Sequence, residues 1–162
     1  NSYSRRRRYS HESLREKLNS FLQDSPLLTY GETSVEYEIL GTDFNVKMVE
    51  DSFKIIIENL IINSAYWLDK MNVESPKITF KLDYDLGKLT IFDNGLGIDN
   101  SIENTLFQAF ESNKPDNEGR GMGLYIVSTL LHEIGAVILL DSERNRYGNR
   151  FKFVITFPEE EV

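Results

Sequence analysis

One stretch, from about residue 50 to 71, constrains the chain more than any other. Phe53, Ile57, Leu60, Ile61, Ser64, Leu68 and Met71 recur at helical spacing and form one face. A long helix with a single apolar face needs a broad partner surface. The two runs behind it supply one. Residues 77–83 (KITFKLD) and 88–93 (KLTIFD) alternate as half-buried strands do, and Tyr84-Asp85-Leu86-Gly87 joins them as a hairpin. Ahead of the helix, 35–40 (VEYEIL) alternates too, and Gly41-Thr42-Asp43 turns toward a short strand near 44–48. Asp51 or Ser52 is the expected cap of the long helix. Residues 10–24 carry Leu14, Leu18, Phe21 and Leu22 on a helical stripe that Pro26 ends. Later elements are a short helix near 101–110, a polar stretch 111–118, a helix near 121–134, and strands at 136–142 and 149–157. That order is not strict β-α-β alternation. It predicts an α+β two-layer sandwich, a mixed and mostly antiparallel sheet with its helices on one face.

Composition narrows the chemistry. The 162 residues suffice for one domain that buries roughly two-thirds of its unfolded surface without a staple. No cysteine is present, which excludes a disulfide scaffold, a zinc-cysteine site and a thiol nucleophile. Eighteen basic residues stand against 26 acidic ones, a net charge of −8 that argues against a broad nucleic-acid footprint. Arg5 to Arg8 form a short basic block and Glu159 to Glu161 an acidic tail, both expected to face solvent. No apolar run is long enough to span a membrane, and no signal peptide is visible. The chain starts at Asn1 without methionine and is expected to be a piece of a longer protein.

Four separated motifs carry chemistry. In the long helix Asn59 and Asn63 lie four apart, one above the other, with Tyr66 and Trp67 on the same stripe. Asparagine is an indifferent helix former, and its carbonyl is a hard oxygen ligand suited to Mg²⁺. Alone, the pair also reads as two satisfied polar groups. Asp93-Asn94-Gly95-Leu96-Gly97 closes a strand. Its carboxylate suits an exocyclic amine, and its glycines let backbone pass close to a flat ring. An ordinary turn has the same composition. Leu106-Phe107-Gln108-Ala109-Phe110 reads equally as core packing. Gly119-Arg120-Gly121-Met122-Gly123-Leu124 opens a helix, whose free N–H groups and dipole attract anions. It is not a P-loop, because Leu124-Tyr125 stands where Lys-Ser or Lys-Thr is needed. Nor is it a Rossmann turn, since no buried strand precedes it.

In this order the four motifs resemble the ATP-binding domain that unites sensor histidine kinases with gyrase B, MutL and the heat-shock chaperone ATPases. The resemblance covers residues 27–158. Residues 59–67 are similar to the family's asparagine box, 93–97 to its first glycine box, 107–110 to its phenylalanine box, and 119–123 to its second glycine box. Gly148-Asn149-Arg150-Phe151 resembles a further small kinase motif. The resemblance implies ATP and Mg²⁺ as cofactors, with Asn63 on the metal and Asn59 supporting metal and phosphates. It implies Asp93 on the adenine amine, Gly95 and Gly97 shaping the ring pocket, and Trp67 against the base. Phe110, Met122 and Leu124 would belong to the nucleotide site, Gly121 and Gly123 would offer N–H groups, and Lys114 and Arg120 would bring lid cations to the phosphates. Asn59, Asn63 and Lys114 would be the catalytic set, and 111–118 a short lid.

The family's branches differ at one position. Gyrase-like hydrolases carry a glutamate four residues before the metal asparagine. Here that residue is Asn59, an amide that is no general base, while Glu58 points about 100° away around the helix. The histidine-kinase branch is therefore expected, acting on a histidine outside this fragment. A nucleotide-gated clamp or sensor and an anti-sigma-type serine kinase are the alternatives. His11 has some likeness to a phosphoacceptor box, but one helix before Pro26 leaves no room for the required hairpin, and a solvent-facing helix residue is the plain alternative. Ser64 replaces the usual alanine, and Tyr66 stands where a phosphate-binding lysine is common. The expected organisation is 1–26 as an N-terminal helix or linker, 27–158 as the ATP-binding domain and 159–162 as a tail. Expected partners are a histidine-bearing dimerisation domain and a response regulator, in the cytoplasm, with no nucleic acid or membrane contact.

Overall fold

The computed structural model describes residues 9–108 and 120–159. In chain order these form β1 (Ser10–Ser13), α1 (Leu14–Leu22), a 3₁₀ turn (Pro26–Leu28), β2 (Thr29–Tyr30), β3 (Thr33–Ser34), β4 (Glu36–Gly41) and β5 (Asn45–Met48). There follow α2 (Glu50–Lys70), β6 (Lys77–Asp83), β7 (Lys88–Asp93), α3 (Arg120–Glu133), β8 (Val137–Leu140) and β9 (Phe153–Thr156). The main sheet has five strands in the order β4-β6-β7-β9-β8. β4 and β6 are parallel, as a crossover through α2 permits, and the other pairs are antiparallel.

The strand period sets which side chains meet the helices. Phe80 pairs with Ile91 and Leu82 with Leu89, and these pair onward with Phe153 and Ile155. All six are buried, while Lys81 on the opposite face is exposed. Leu89, Ile91 and Asp93 share one face because side chains alternate. A carboxylate thus ends a core-facing row. Against that row lies α2, through Phe53, Ile56, Ile57, Leu60, Ile61, Ala65 and Leu68. Alongside it packs α3, through Leu124, Val127 and Leu131.

The N-terminal region departs from expectation. Residues 10–13 are a strand paired antiparallel with β5, Ser10 opposite Met48, not the start of a helix. The helix begins at Leu14 because the Ser13 hydroxyl accepts from the Glu16 amide at 3.2 Å. Ser13 also donates to Asp43, which accepts the Arg15 amide at 2.9 Å, a carboxylate at a helix N-terminus. Leu14, Leu18 and Leu22 are fully buried in the same core as α2. His11 sits in β1 opposite Lys47, exposed, rather than on a helix.

Three other boundaries differ. The residue before α2 is Val49, with no side-chain cap, and Glu50 and Asp51 fall in the first turn where the dipole favours acids. Residues 101–108 form successive turns, with Ile102, Thr105 and Gln108 amides each bonding three residues back, in place of the expected helix. Side chains compete for backbone there: the Asp99 carboxylate accepts the Ser101 amide at 2.8 Å and the Thr105 hydroxyl donates to the Ile102 carbonyl at 3.3 Å. The last two strands are shorter than expected, leaving 141–152 as a long connection.

Gly41 closes β4 at φ +90°, and a Cβ there would lie 1.9 Å from the Leu82 carbonyl oxygen. Gly41→Ala should therefore lower the unfolding free energy by about 3 kcal/mol. Urea denaturation checks this; an unchanged midpoint would contradict it.

Candidate nucleotide site

The site lies where α2 passes the end of β7. Asn63 and Trp67, one turn apart on α2, line a cavity of about 270 Å³ together with Asp93, Gly95, Leu96 and Gly97. That volume lies just below the ~300–1,000 Å³ seen for small-molecule clefts. Leu68 of α2 and Met71 just past its end, Ile98 and Ile102 of the loop after β7, and Phe151 and Phe153 before and in β9 give it apolar walls.

Asp93 is the polar centre. One carboxylate oxygen accepts the Gly95 amide at 2.9 Å, and the Ser64 hydroxyl hydrogen-bonds the same group. Burial pushes its carboxyl above the ordinary 3.8, and these two hydrogen bonds pull partly the other way. Ser64, where family members usually carry alanine, is thus an orienting donor. Asp99 also lines the cavity, but Ser101 holds its carboxyl below the ordinary value. The two carboxylates are driven in opposite directions. Asp99 therefore puts a negative charge on its side of the cleft.

Both glycines of residues 93–97 are required by contact. A Cβ on Gly95 would lie 2.9 Å from the Asp93 carboxylate and 3.3 Å from Leu68. Gly97 has φ +87°, and a Cβ would meet the Asn145 amide nitrogen at 2.8 Å and Asn149 at 2.9 Å.

Along α2 the site becomes more polar toward α3. Asn59 does not line the cavity. Its amide donates to the Ile55 carbonyl at 2.8 Å, and its carbonyl oxygen faces Gly123 of α3, 3.0 Å from where a Cβ would stand. Gly123 thus lets α3 approach Asn59. Tyr66 turns away from the cavity, edge-on to Tyr30 at 5.6 Å, and takes a hydrogen bond from Lys70 at 3.0 Å. Leu124 is buried in the core rather than lining the cavity. Arg120, Gly121 and Met122 fall in the first turn of α3. Phe110, Lys114, Gly119 and the expected lid at 111–118 lie outside the described residues. Phe107 packs edge-on against Phe153 at 5.9 Å. Met71, Asp99, Asn149 and Phe151 line the cavity without having been named as site residues. The small motif at 148–151 was the one signal available for the last two.

An inner-face carboxylate, two close-packed glycines and a facing helix amide thus meet at one cavity between sheet and helix. The family model for histidine kinase-, DNA gyrase B- and HSP90-like ATPases matches residues 48–161, and the chain belongs to that family. It is 31% identical over 117 residues to the autoinducer 1 sensor kinase/phosphatase LuxN of Vibrio campbellii, covering 72% of this chain and 13% of that protein. It thus spans about an eighth of that relative's length. The mycobacterial sensor histidine kinase MprB superposes with a TM-score of 0.71 at 20% identity, covering 92% of this chain and 97% of that one. The catalytic domain of the histidine kinase ThkA gives 0.68 at 17% identity, covering 93% and 95%. The fold is that of histidine kinase ATP-binding domains.

The buried carboxyl has a pH signature. A carboxyl whose pKa is raised by folding binds its proton more tightly in the folded chain, so its contribution favours the fold at low pH and is lost as pH rises through the raised value. Asp93→Asn should therefore gain stability relative to the wild type as pH rises from 3.8 through that window. Paired chemical denaturation across pH measures the gap; a constant gap would contradict the burial argument.

Proposed function

We propose that this domain binds ATP with Mg²⁺ and delivers the γ-phosphoryl group to a histidine on another domain of its parent protein. The observation that carries the reading is one cavity joining Asn63 to Asp93 from opposite walls. Asp93 accepts from the adenine amine, and Trp67 packs on the ring. The phosphates run toward Asn59 and the N-terminus of α3, where the helix dipole is positive, and away from ionised Asp99. Lys114 and Arg120 supply cations to the phosphates, and Phe110, Gly121, Met122 and Gly123 belong to the same nucleotide-binding region, while Leu124, buried in the core, anchors α3 behind it.

The Asn63 side chain, 7% exposed, offers an amide oxygen of the hardness Mg²⁺ prefers, and Asn59 lies one turn away. In this reading the protein's share of the metal ligands is the Asn63 amide oxygen. The cation, when bound, neutralises charge on the phosphates.

Among the described residues, neither Asn59 nor its neighbour Glu58 is placed as a base for water attack. Asn59 has its amide on Ile55, and Glu58, the neighbouring carboxylate, faces Lys54 at 3.7 Å. Catalysis then rests on positioning and charge neutralisation until an acceptor arrives. The burial of Leu14, Leu18 and Leu22 supports counting residues 10–28 as part of the ATP-binding unit rather than as a linker. Arg15 adds to this, its guanidinium bonding the Ile39 carbonyl at 3.1 Å. The exposed strand position of His11 favours an acceptor elsewhere, on a dimerisation domain of the parent, with a response regulator downstream in the cytoplasm. No helix among the described residues is long and apolar enough to cross a membrane.

Asp93→Ala should abolish the rise in melting temperature that ATP gives the wild type, a rise set by ligand concentration over Kd. Asn63→Ala should remove the Mg²⁺ dependence of that rise. An unchanged ATP shift in the first variant, or retained magnesium dependence in the second, would overturn the respective assignment. In the full-length protein, γ-phosphate label should appear on the chain as an acid-labile, base-stable adduct. Free phosphate alone would replace the kinase reading with a hydrolytic clamp.

A further inference from the structure

The connection between β8 and β9 reaches the cavity only at Asn149 and Phe151, yet it holds one wall of it from behind. We propose that Asn145, in that connection, is a positioning residue for nucleotide binding, fixing the glycine-bearing wall through the Leu96 carbonyl. The inference rests on the cavity being the nucleotide site.

Asn145 and Asn149 each donate a side-chain amide to the Leu96 carbonyl at 2.9 Å. Two donors use both lone pairs of that oxygen and fix the orientation of the Leu96–Gly97 peptide. The next residue but one is held as well, the Ile98 amide donating to the Arg150 carbonyl at 2.8 Å. Between these contacts Gly97 adopts φ +87° and packs against Asn145 and Asn149 with no room for a Cβ. Leu96, Gly97, Ile98 and Asn149 line the cavity; Asn145 does not. Asn145 stands behind the wall.

Asn145 is also the hub of its own turn. Its side-chain oxygen accepts the Tyr147 amide at 2.9 Å and the Asn149 amide at 3.1 Å, and its backbone amide bonds the Asn149 carbonyl at 2.8 Å. The oxygen builds the turn while the nitrogen holds the wall. Arg144 beside it adds a second tether, donating to Asn100 and to the Gly148 carbonyl, both at 3.0 Å. The wall at 94–100 has no place in a strand: Asn94 ties its start to Lys77, amide to carbonyl at 3.2 Å, the isolated bridge of Ile98 with Arg150 holds its middle, and Leu96 and Gly97 between them have no backbone ladder. Its shape therefore depends on these side-chain amides, and a wall already shaped spares the nucleotide the cost of ordering it.

The two ends of the Asn145 amide can be separated. Asn145→Asp keeps an oxygen for the Tyr147 and Asn149 amides but has no donor for Leu96; Asn145→Ala loses both. Titration calorimetry with ADP and Mg²⁺, beside melting temperatures, tests the proposal. Both variants should bind ADP about tenfold more weakly, while Asn145→Asp melts close to the wild type and Asn145→Ala melts lower. If affinity follows stability, so that Asn145→Asp binds as the wild type does, Asn145 has no positioning role. If neither variant loses affinity the proposal falls likewise. A wild type that binds no ADP would instead remove the nucleotide reading on which the proposal stands.

Discussion

A single carboxylate on the inner face of the sheet sets the terms for the rest of this domain. Asp93 continues the row of Leu89 and Ile91 and so points toward α2, where an apolar side chain would ordinarily sit. An acid in that position is costly without partners. The structure gives it the Gly95 amide and the Ser64 hydroxyl, and leaves space in front of it rather than filling that space with side chains. The cavity is the part of the sandwich where core packing is interrupted in front of one acid, the place the proposed ligand would occupy.

Everything around Asp93 serves to keep that interruption in shape. Gly95 and Gly97 are small because the carboxylate, Leu68 and the β8–β9 connection come too close for a Cβ. On α2, Asn63 and Trp67 face the cavity while Leu60, Ile61 and Leu68 bury into the core, so one helix serves packing and recognition on adjoining stripes. Gly123 brings α3 against Asn59. An ionised acid on one side and the first described turn of α3 on the other give the region a charge gradient, and the proposed nucleotide orientation follows it.

Much of this was legible in the sequence because it is local. β6 and β7 occupy the residues expected of them, since strict alternation and the Gly87 turn determine both ends. α2 ends within a residue of expectation because its apolar stripe is long. The order of the asparagine and glycine motifs pointed to the family that the comparisons bear out. Contacts between distant segments were hidden. Residues 10–13 become a strand only because β5 lies beside them, and nothing in their spacing says so. The β2–β3 hairpin, two residues on each side of Gly31-Glu32, is too short to leave a periodic signal. The hydrogen bond of Asn145 to Leu96 crosses 49 residues and leaves no trace in spacing. Ser64 read as a departure from a pattern, and its meaning appeared once Asp93 was seen across from it.

The most direct test is a crystal structure of the domain grown with a non-hydrolysable ATP analogue and Mg²⁺. The account predicts the adenine amine within hydrogen-bonding distance of the Asp93 carboxylate, the ring beside Trp67, and the metal against the Asn63 side-chain oxygen. An analogue seated elsewhere, or one lying in this cavity with its phosphates toward Asp93, would contradict it.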